Sequence, residues 1–406
     1  MGQPTVREAP SALGIIPKEP LMPLPNTPDR CPIAWAPDET LIAVIEMSQS
    51  SWLVAGILPG IERLPLKRLP TDPFALIGLL ERWRDEATKA GKSINRITIA
   101  YEAGRDGFWL ARWLRDRSIE AYVIHPTSIA VSREHRRAKT DRLDTELLKR
   151  SFSGWLRGER GHCSMAAIPT LEEEDAKRAH RERGNLVADR TRIINRLKSC
   201  LVRFGIRDFS PTTRYAENKV ADLRTPEGRR LPPHTQSEML RNMEGLRFLT
   251  AQIKAIEKAR AKRVEHDAAP AHAMVRTLSQ INGLGVETAD MLVSEIFFRD
   301  LRDRRAVARY AGLTGAPNES GSMRREKGLA KSGNARVRRG MIELAWRFLR
   351  FQGDSALAKW FHARTEAAPA RRKTMVVALA RKLLISLWRM LQTGEIPAGV
   401  VLKAAV

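Results

Sequence analysis

Asp141 and Asp144 stand three residues apart in the stretch KTDRLDTE, just behind Lys139. On a helix that spacing puts both carboxylates on one face, close enough for both to reach a single object. Two like charges at that distance repel unless a cation sits between them, and the cation that suits paired carboxylate oxygens is a hard divalent metal. A solvated helix turn would carry the same pair. Two further acids close apolar runs upstream: Glu46 ends LIAVIE and Glu102 ends ITIAYE. Strand ends in open α/β sheets border the crevices where ligands bind. Four carboxylates from three elements, Glu46, Glu102, Asp141 and Asp144, would then converge on a site for a pair of Mg²⁺ ions (or Mn²⁺ in their place), as phosphoryl transfer requires. Taken singly, Glu46 also reads as a turn residue and Glu102 as a partner of Arg105.

The elements that must position these acids follow from the apolar pattern. LIAVIE (41–46) and SWLVAGIL (51–58), separated by a polar pair, predict a hairpin. FALIGLLERWRDEATKA (74–90) predicts a helix, INRITIAYE (94–102) a buried strand, FWLARWLRDR (108–117) a helix and EAYVIHP (120–126) a strand ending at proline. KTDRLDTELLKRSF (139–152) predicts a helix with Leu143, Leu147 and Leu148 on its apolar side. Paired strands followed by alternating strands and helices describe an α/β layer domain over 39–155. Residues 1–38, rich in proline and without periodicity, read as an extended, flexible leader.

From 171 to 265 the chain changes to long polar helices. Leu186, Ile193, Ile194, Leu197 and Leu201 lie near helical spacing within 182–206, and a second helix is predicted over 237–263, so a helical hairpin or coiled coil is expected. Its face would bind nucleic acid or a second subunit, or serve only as a spacer. Residues 270–400 form a third, mainly helical region. There LSQINGLGVETADMLVSEI (278–296) sets Gly283 and Gly285 between two short helices, a helix-hairpin-helix pattern whose backbone N–H groups could hold a phosphate. A plain glycine turn would look the same. Further on, ESGS puts Ser320 on a turn beside Gly321, followed by Arg324, Arg325, Lys327 and Lys331, and then by Asn334, Arg336, Arg338 and Arg339. A serine is a poor nucleophile unless positioned and activated, and on the residues alone Ser320 reads as a turn residue.

Composition points to a polyanionic partner. Among 406 residues, 70 Lys and Arg against 46 Asp and Glu give a formal charge of +24, which attracts nucleic acid backbones by counterion release. No apolar run approaches the roughly 18 residues of a spanning helix. The start MGQPTV lacks the basic and apolar regions of a signal peptide, and Cys31, Cys163 and Cys200 show no metal-ligand spacing. A reducing cytoplasm is the expected location.

Together, YEAGRDGFW, IHPTS, KTDRLDTELL, INGLGVETADMLVSEI, RYAGLTGAPNESGS, KGLAKSGNARVRRGMIELAW and MVVALARKLLISLWRML resemble the DEDD-type insertion-sequence transposases, bridge-RNA-guided DNA recombinases, over about residues 40 to 397. The resemblance implies a RuvC-like, RNase H-fold N-terminal domain, a helical coiled-coil connector and a C-terminal transposase domain with a serine nucleophile. Carried over by motif, the metal acids are Glu46, Glu102, Asp141 and Asp144 and the nucleophile is Ser320. Nucleic-acid contacts are expected at Lys139, Gly283, Gly285, Arg324, Arg325, Lys327, Lys331, Asn334, Arg336, Arg338 and Arg339. The family's first acid is normally aspartate. Glu46 adds a methylene, and an active site with a compensating backbone shift is the expectation. The implied partners are DNA (element ends and target), a noncoding guide RNA and further copies of the chain, as dimer or tetramer. A metal-dependent, junction-resolvase-like nuclease and a domesticated, non-catalytic nucleic-acid binder are the alternative readings.

Overall fold

The computed structural model describes residues 36–104, 107–129, 140–159, 161–299, 301–320, 323–330, 332–366 and 368–403. The chain divides into two compact units, Met1–Thr170 and Leu171–Val406. In the first, β1 (Thr40–Met47) and β2 (Trp52–Ile57) form the expected hairpin. β3 (Leu66–Leu69) extends it, and α1 (Pro73–Lys89), β4 (Arg96–Glu102), α2 (Trp109–Arg115), β5 (Glu120–Ile124) and α3 (Asp141–Leu156) follow. The sheet order is β3-β2-β1-β4-β5, antiparallel from β3 to β1 and parallel from β1 to β5.

β1 lies at the centre with both faces covered, which is why its sequence is continuously apolar rather than alternating. Leu41, Ala43 and Ile45 pack with Leu76, Leu80 and Trp83 of α1 and Leu110 of α2. Ile42 and Val44 face the other way, onto Leu148, Phe152 and Trp155 of α3. Asp72 caps α1, its carboxylate accepting from the Phe74 and Ala75 N–H groups, with Pro73 in the first turn. The buried side of α3 differs from expectation. Thr145, Leu148, Phe152 and Trp155 face inward at helical spacing, whereas Leu143 stays 39% exposed, because the stripe set by the two large rings does not pass through it.

The second unit contains α4 (Leu171–Asp175), α5 (Arg178–Val202), α6 (Pro233–His266), α7 (Pro270–Ser279), α8 (Val286–Leu292) continuing into a π-helical turn (Val293–Phe297), and α9 (Arg304–Tyr310). A hairpin of β6 (Gly315–Ser320) and β7 (Met323–Leu329) comes next, then α10 (Ala335–Phe351), α11 (Ala356–Thr365) and α12 (Arg372–Thr393). α5 and α6 pack antiparallel: Arg183 near the start of α5 meets Glu257 late in α6, and Arg196 late in α5 meets Asn242 early in α6. Leu197 and Leu201 close a core with Met239, Met243 and Leu246, beneath the linking residues Phe209, Ala216, Val220 and Leu231. The connector and the transposase region thus fall in one unit.

The chain's C-terminal segment lies over the Gly283 turn. Gln352, 1% exposed, donates from Nε2 to the carbonyls of Asn282 and Val401 and accepts at Oε1 from the Val401 N–H, each at 2.8 Å. Ile281 pairs with Leu402. Among the described residues no helix is long and apolar enough to cross a membrane.

Candidate active site and nucleic-acid interface

The strand register brings the acids of the first unit onto one face. β1 and β4 run parallel with Ile45 beside Tyr101, so the next step sets Glu46 beside Glu102 at the two strand ends. In the other direction Glu46 pairs with Leu53 and Leu53 with Arg68, while Glu102 pairs with Ile124. Directly opposed residues share a face. One row therefore crosses the whole sheet, Arg68, Leu53, Glu46, Glu102, Ile124, on the face that packs α3. Extending α3's inward stripe from Trp155 through Thr145 by one more turn reaches Asp141 and Asp144, both in its first turn. Thr140 caps that turn, its hydroxyl accepting from the Leu143 N–H. The Asp141 carboxylate lies 3.9 Å from Arg68 Nη2, and Arg68 Nη1 donates to Ser51 Oγ at 2.7 Å. Sequence reasoning missed Arg68. Its only signal is its place in the register, which needs β3 to be recognised first.

All four acids offer carboxylate oxygen, the donor type of Mg²⁺ and Mn²⁺, so the donor chemistry suits such an ion. Among the described residues no three His, Cys, Asp or Glu side chains are drawn together as a metal-ligating group. β1 keeps unbroken register through Glu46, so it contains no bulge to offset the extra methylene. Lys139 lies outside the described residues. Burial pushes the Cys163 thiol up to about 12, which keeps it protonated and unreactive.

Ser320 is not on an open turn. It is the last residue of β6 and pairs with Met323, beside the Glu319–Arg324 and Asn318–Arg325 pairs. Lys327 also lies in β7. Gly321, Ser322 and Lys331 lie outside the described residues. The hairpin's root is held by backbone. Gly312 (φ +65°) and Gly333 (φ +87°) occupy the left-handed region, and a Cβ on Gly333 would lie 2.5 Å from the Arg309 carbonyl oxygen and 2.7 Å from the Gly312 nitrogen. The two motifs flanking the hairpin, RYAGLTG and KSGNARVRRG, are thus pressed together at positions where only glycine fits. Asn334 finishes the root. Its N–H donates to the Tyr310 carbonyl and its Oδ1 caps α10 through Arg336 and Val337. Arg338 turns back to the Ser332 carbonyl, while Arg336 and Arg339 are exposed.

Asn334 also donates from Nδ2 to Glu295 of the π-helical turn at 2.9 Å. Glu295, 1% exposed, accepts two bonds from Arg181 of α5, at 2.9 and 3.2 Å. Next to it, Arg260 of α6, 3% exposed, pairs with Glu287 and Asp290 of α8, and Arg183 bridges Glu257 and Glu287. Burial alone would raise both glutamates. His180, Arg260 and Arg183 outweigh it at Glu287, and Arg181 and Asn334 at Glu295, so both carboxyls sit below their usual value of 4.5. Asp290 goes the other way, raised by burial that Arg260 only partly offsets.

Because the folded-state values of Glu287 and Glu295 are depressed, their stabilisation is complete above 4.5 and is lost as pH falls through the lower folded values. Asp290 contributes in the opposite sense, gaining as it protonates. Glu295→Gln is expected to lower the melting temperature at about pH 7, and that deficit should shrink at about pH 3, where wild type has lost the charge as well. Melting by circular dichroism at both values checks this. An equal deficit at both would mean that the charge on Glu295 contributes nothing.

Gly283 (φ +85°) packs against Phe351, since a Cβ there would come 2.9 Å from that ring's own Cβ, whereas Gly285 begins α8 beside open space. Gly283 therefore has a packing role in its turn.

The first unit is thus an α/β unit with acids on one sheet face, and the second a helical unit with a glycine-rooted basic hairpin. Residues 275–360 match the family described as Transposase IS116/IS110/IS902. A Sinorhizobium fredii (strain NBRC 101917 / NGR234) chain, y4rJ, whose name describes a transposase, is 38% identical over 378 residues, covering 88% of this chain and 93% of the relative. A Yersinia enterocolitica transposase for insertion sequence element IS1328 is 26% identical over 303 residues, 73% of this chain and 84% of that one. The chain belongs to the IS116/IS110/IS902 transposase family.

Proposed function

We propose that the chain is the recombinase of a mobile element, cutting and rejoining DNA through a covalent phosphoserine at Ser320, with target choice delegated to a structured noncoding RNA. The observation that carries this reading is the parallel β1–β4 register, paired as far as Ile45 and Tyr101, so that Glu46 and Glu102 follow one step on along neighbouring strands, on the face packed by α3, whose first turn holds Asp141 and Asp144. The same order of strands, with acids at the ends of β1 and β4, supports assigning the sheet to the RuvC-like, RNase H type. Glu46, Glu102, Asp141 and Asp144 would hold Mg²⁺, which when bound polarises the scissile phosphodiester.

Ser320 then does the bond exchange. Its Oγ forms a bond to phosphorus as the bond from phosphorus to one sugar oxygen breaks. The serine proton leaves to solvent and the freed sugar oxygen takes one up, so the phosphodiester count is unchanged. A sugar hydroxyl of another strand reverses the exchange and frees the serine. Arg324, Arg325 and Lys331 neutralise charge developing on the phosphate. The acids belong to one unit and Ser320 to the other, which fits a composite site assembled from two copies of the chain, in a dimer or tetramer. The base pairing of an RNA would supply sequence, leaving the protein to recognise shape and backbone.

Purified protein is expected to carry RNA enriched in one transcript from beside its gene, released steeply as salt is raised. Sequencing the bound RNA checks this. A random mixture would remove RNA guidance and leave the recombinase reading to the adduct experiment described below.

A further inference from the structure

The outward side of α10 forms a continuous polar stripe. Arg336, Arg339, Glu343, Trp346 and Arg350 follow one another at steps of three and four, and all five are exposed, while Val337, Met341, Leu344, Ala345 and Phe348 fill the inward side. Arg347 is not part of it, since its guanidinium is committed to Thr288 Oγ1 at 2.6 Å. Trp346 is unusual in this setting. A large ring on a charged helix face loses free energy by remaining in water, yet it is 41% exposed, with the Arg372 guanidinium, at the start of α12, 5.6 Å from the ring centre. A partly exposed indole beside a cation, with arginines at both ends of its stripe, is the composition of a stacking platform for bases.

From this we infer that the α10 stripe is a docking track for an unpaired DNA strand, with one base stacked on Trp346 and flanking phosphates held by Arg336 and Arg339 on one side and by Arg350 and Arg372 on the other. The occupant is single-stranded because a duplex keeps its base faces covered by their neighbours, so an indole has nothing to stack upon. It is DNA because the track begins at Asn334, the residue that joins α10 to the root of the Ser320 hairpin. In this last respect it rests on the assignment of Ser320 to DNA cleavage. Arg339 and Arg350 are eleven residues apart, about 16 Å along the helix, so a few nucleotides bridge them. Glu343, the stripe's one acid, sits between the two basic ends and keeps a phosphate away from the middle, which favours a base there.

The test uses the full-length protein without added divalent metal, so that nothing depends on cleavage. A mixed-sequence single strand of about 16 nucleotides, an upper value for such sites, is made with 5-iodouracil and photocrosslinked. The expected adduct is on the peptide containing Trp346. By fluorescence anisotropy, Trp346→Ala is expected to weaken the single strand about tenfold with duplex affinity unchanged, and Arg350→Gln to lower the salt slope by about one. Trp346→Phe should restore most of the loss. An unchanged single-strand affinity in Trp346→Ala, an equal loss for duplex, or crosslinking at Trp346 by an RNA strand but not by DNA would each overturn the inference. A missing serine adduct in a separate reaction supplied with Mg²⁺, with this binding intact, would instead remove the cleavage role of Ser320.

Discussion

Ser320→Ala is expected to eliminate every denaturation-resistant protein–DNA adduct and to reduce strand exchange by at least about 10⁴-fold, the scale on which nucleophile loss acts in serine enzymes. DNA binding should be nearly unchanged, because one hydroxyl contributes little to a contact dominated by Arg and Lys. The family motif singles out Ser320, and the hairpin gives it a defined backbone position. It is the final paired residue of β6, opposite Met323, with Arg324 and Arg325 on the returning strand. Ser322→Ala is the internal control: it keeps the hairpin's flanks and is expected to form the adduct. Mass spectrometry of the trapped complex should place the phosphate on the ESGS peptide. Persistence of the adduct in Ser320→Ala with loss in Ser322→Ala would move the nucleophile by two residues. DNA cleavage by wild type with no adduct under any condition would make water the nucleophile and the chain a resolvase-like nuclease.

The second large effect concerns the acid row. Asp144→Asn is expected to lower strand exchange about a thousandfold, comparable to losing a group that stabilises transition-state charge, with fold and DNA affinity retained. Glu46 gives a finer comparison. Glu46→Gln should match Asp144→Asn, while Glu46→Asp should keep activity, because β1 continues in register through this position and a shorter carboxylate still leaves the strand end on the same face. Strand exchange on a paired-end substrate with Mg²⁺ reads all three. Full activity in Asp144→Asn would remove the acids from the chemistry. Loss in Glu46→Asp equal to that in Glu46→Gln would show that the site is built around the longer side chain.

Much of the first unit could be read from the chain because β-branched runs and amphipathic periods are local signals. The hairpin at Glu46, the strand ending at Glu102 and the helix of Asp141 and Asp144 were all expected and are all present. β3 was not. Its four residues, Leu66–Leu69, include Lys67 and Arg68 and lie between Pro65 and Pro70, so it resembles a loop until β2 supplies a pairing partner. Arg68 therefore enters the acid row only through sheet register, which no local pattern reports. Leu143 failed for a related reason: which side of α3 is inside depends on where Phe152 and Trp155 meet the sheet.

The β6–β7 hairpin was unreadable in a different way. GAPNES and MRREKGL lack the alternation of a half-buried strand, and Ser320 took on meaning only through the family resemblance. Glu295 had no signal at all. Its role comes from a π-helical turn and from Arg181, 114 residues away.

The glycine contact at the hairpin's root has an implication for protein engineering. Gly312 and Gly333 meet through main-chain atoms, and Asn334 closes the junction on the Tyr310 carbonyl, so main-chain contacts outside the two strands define the base. A hairpin anchored in this way is a cassette. Its strands are candidates for exchange between relatives, or for randomisation in a library, with the two glycines and the asparagine kept as splice points.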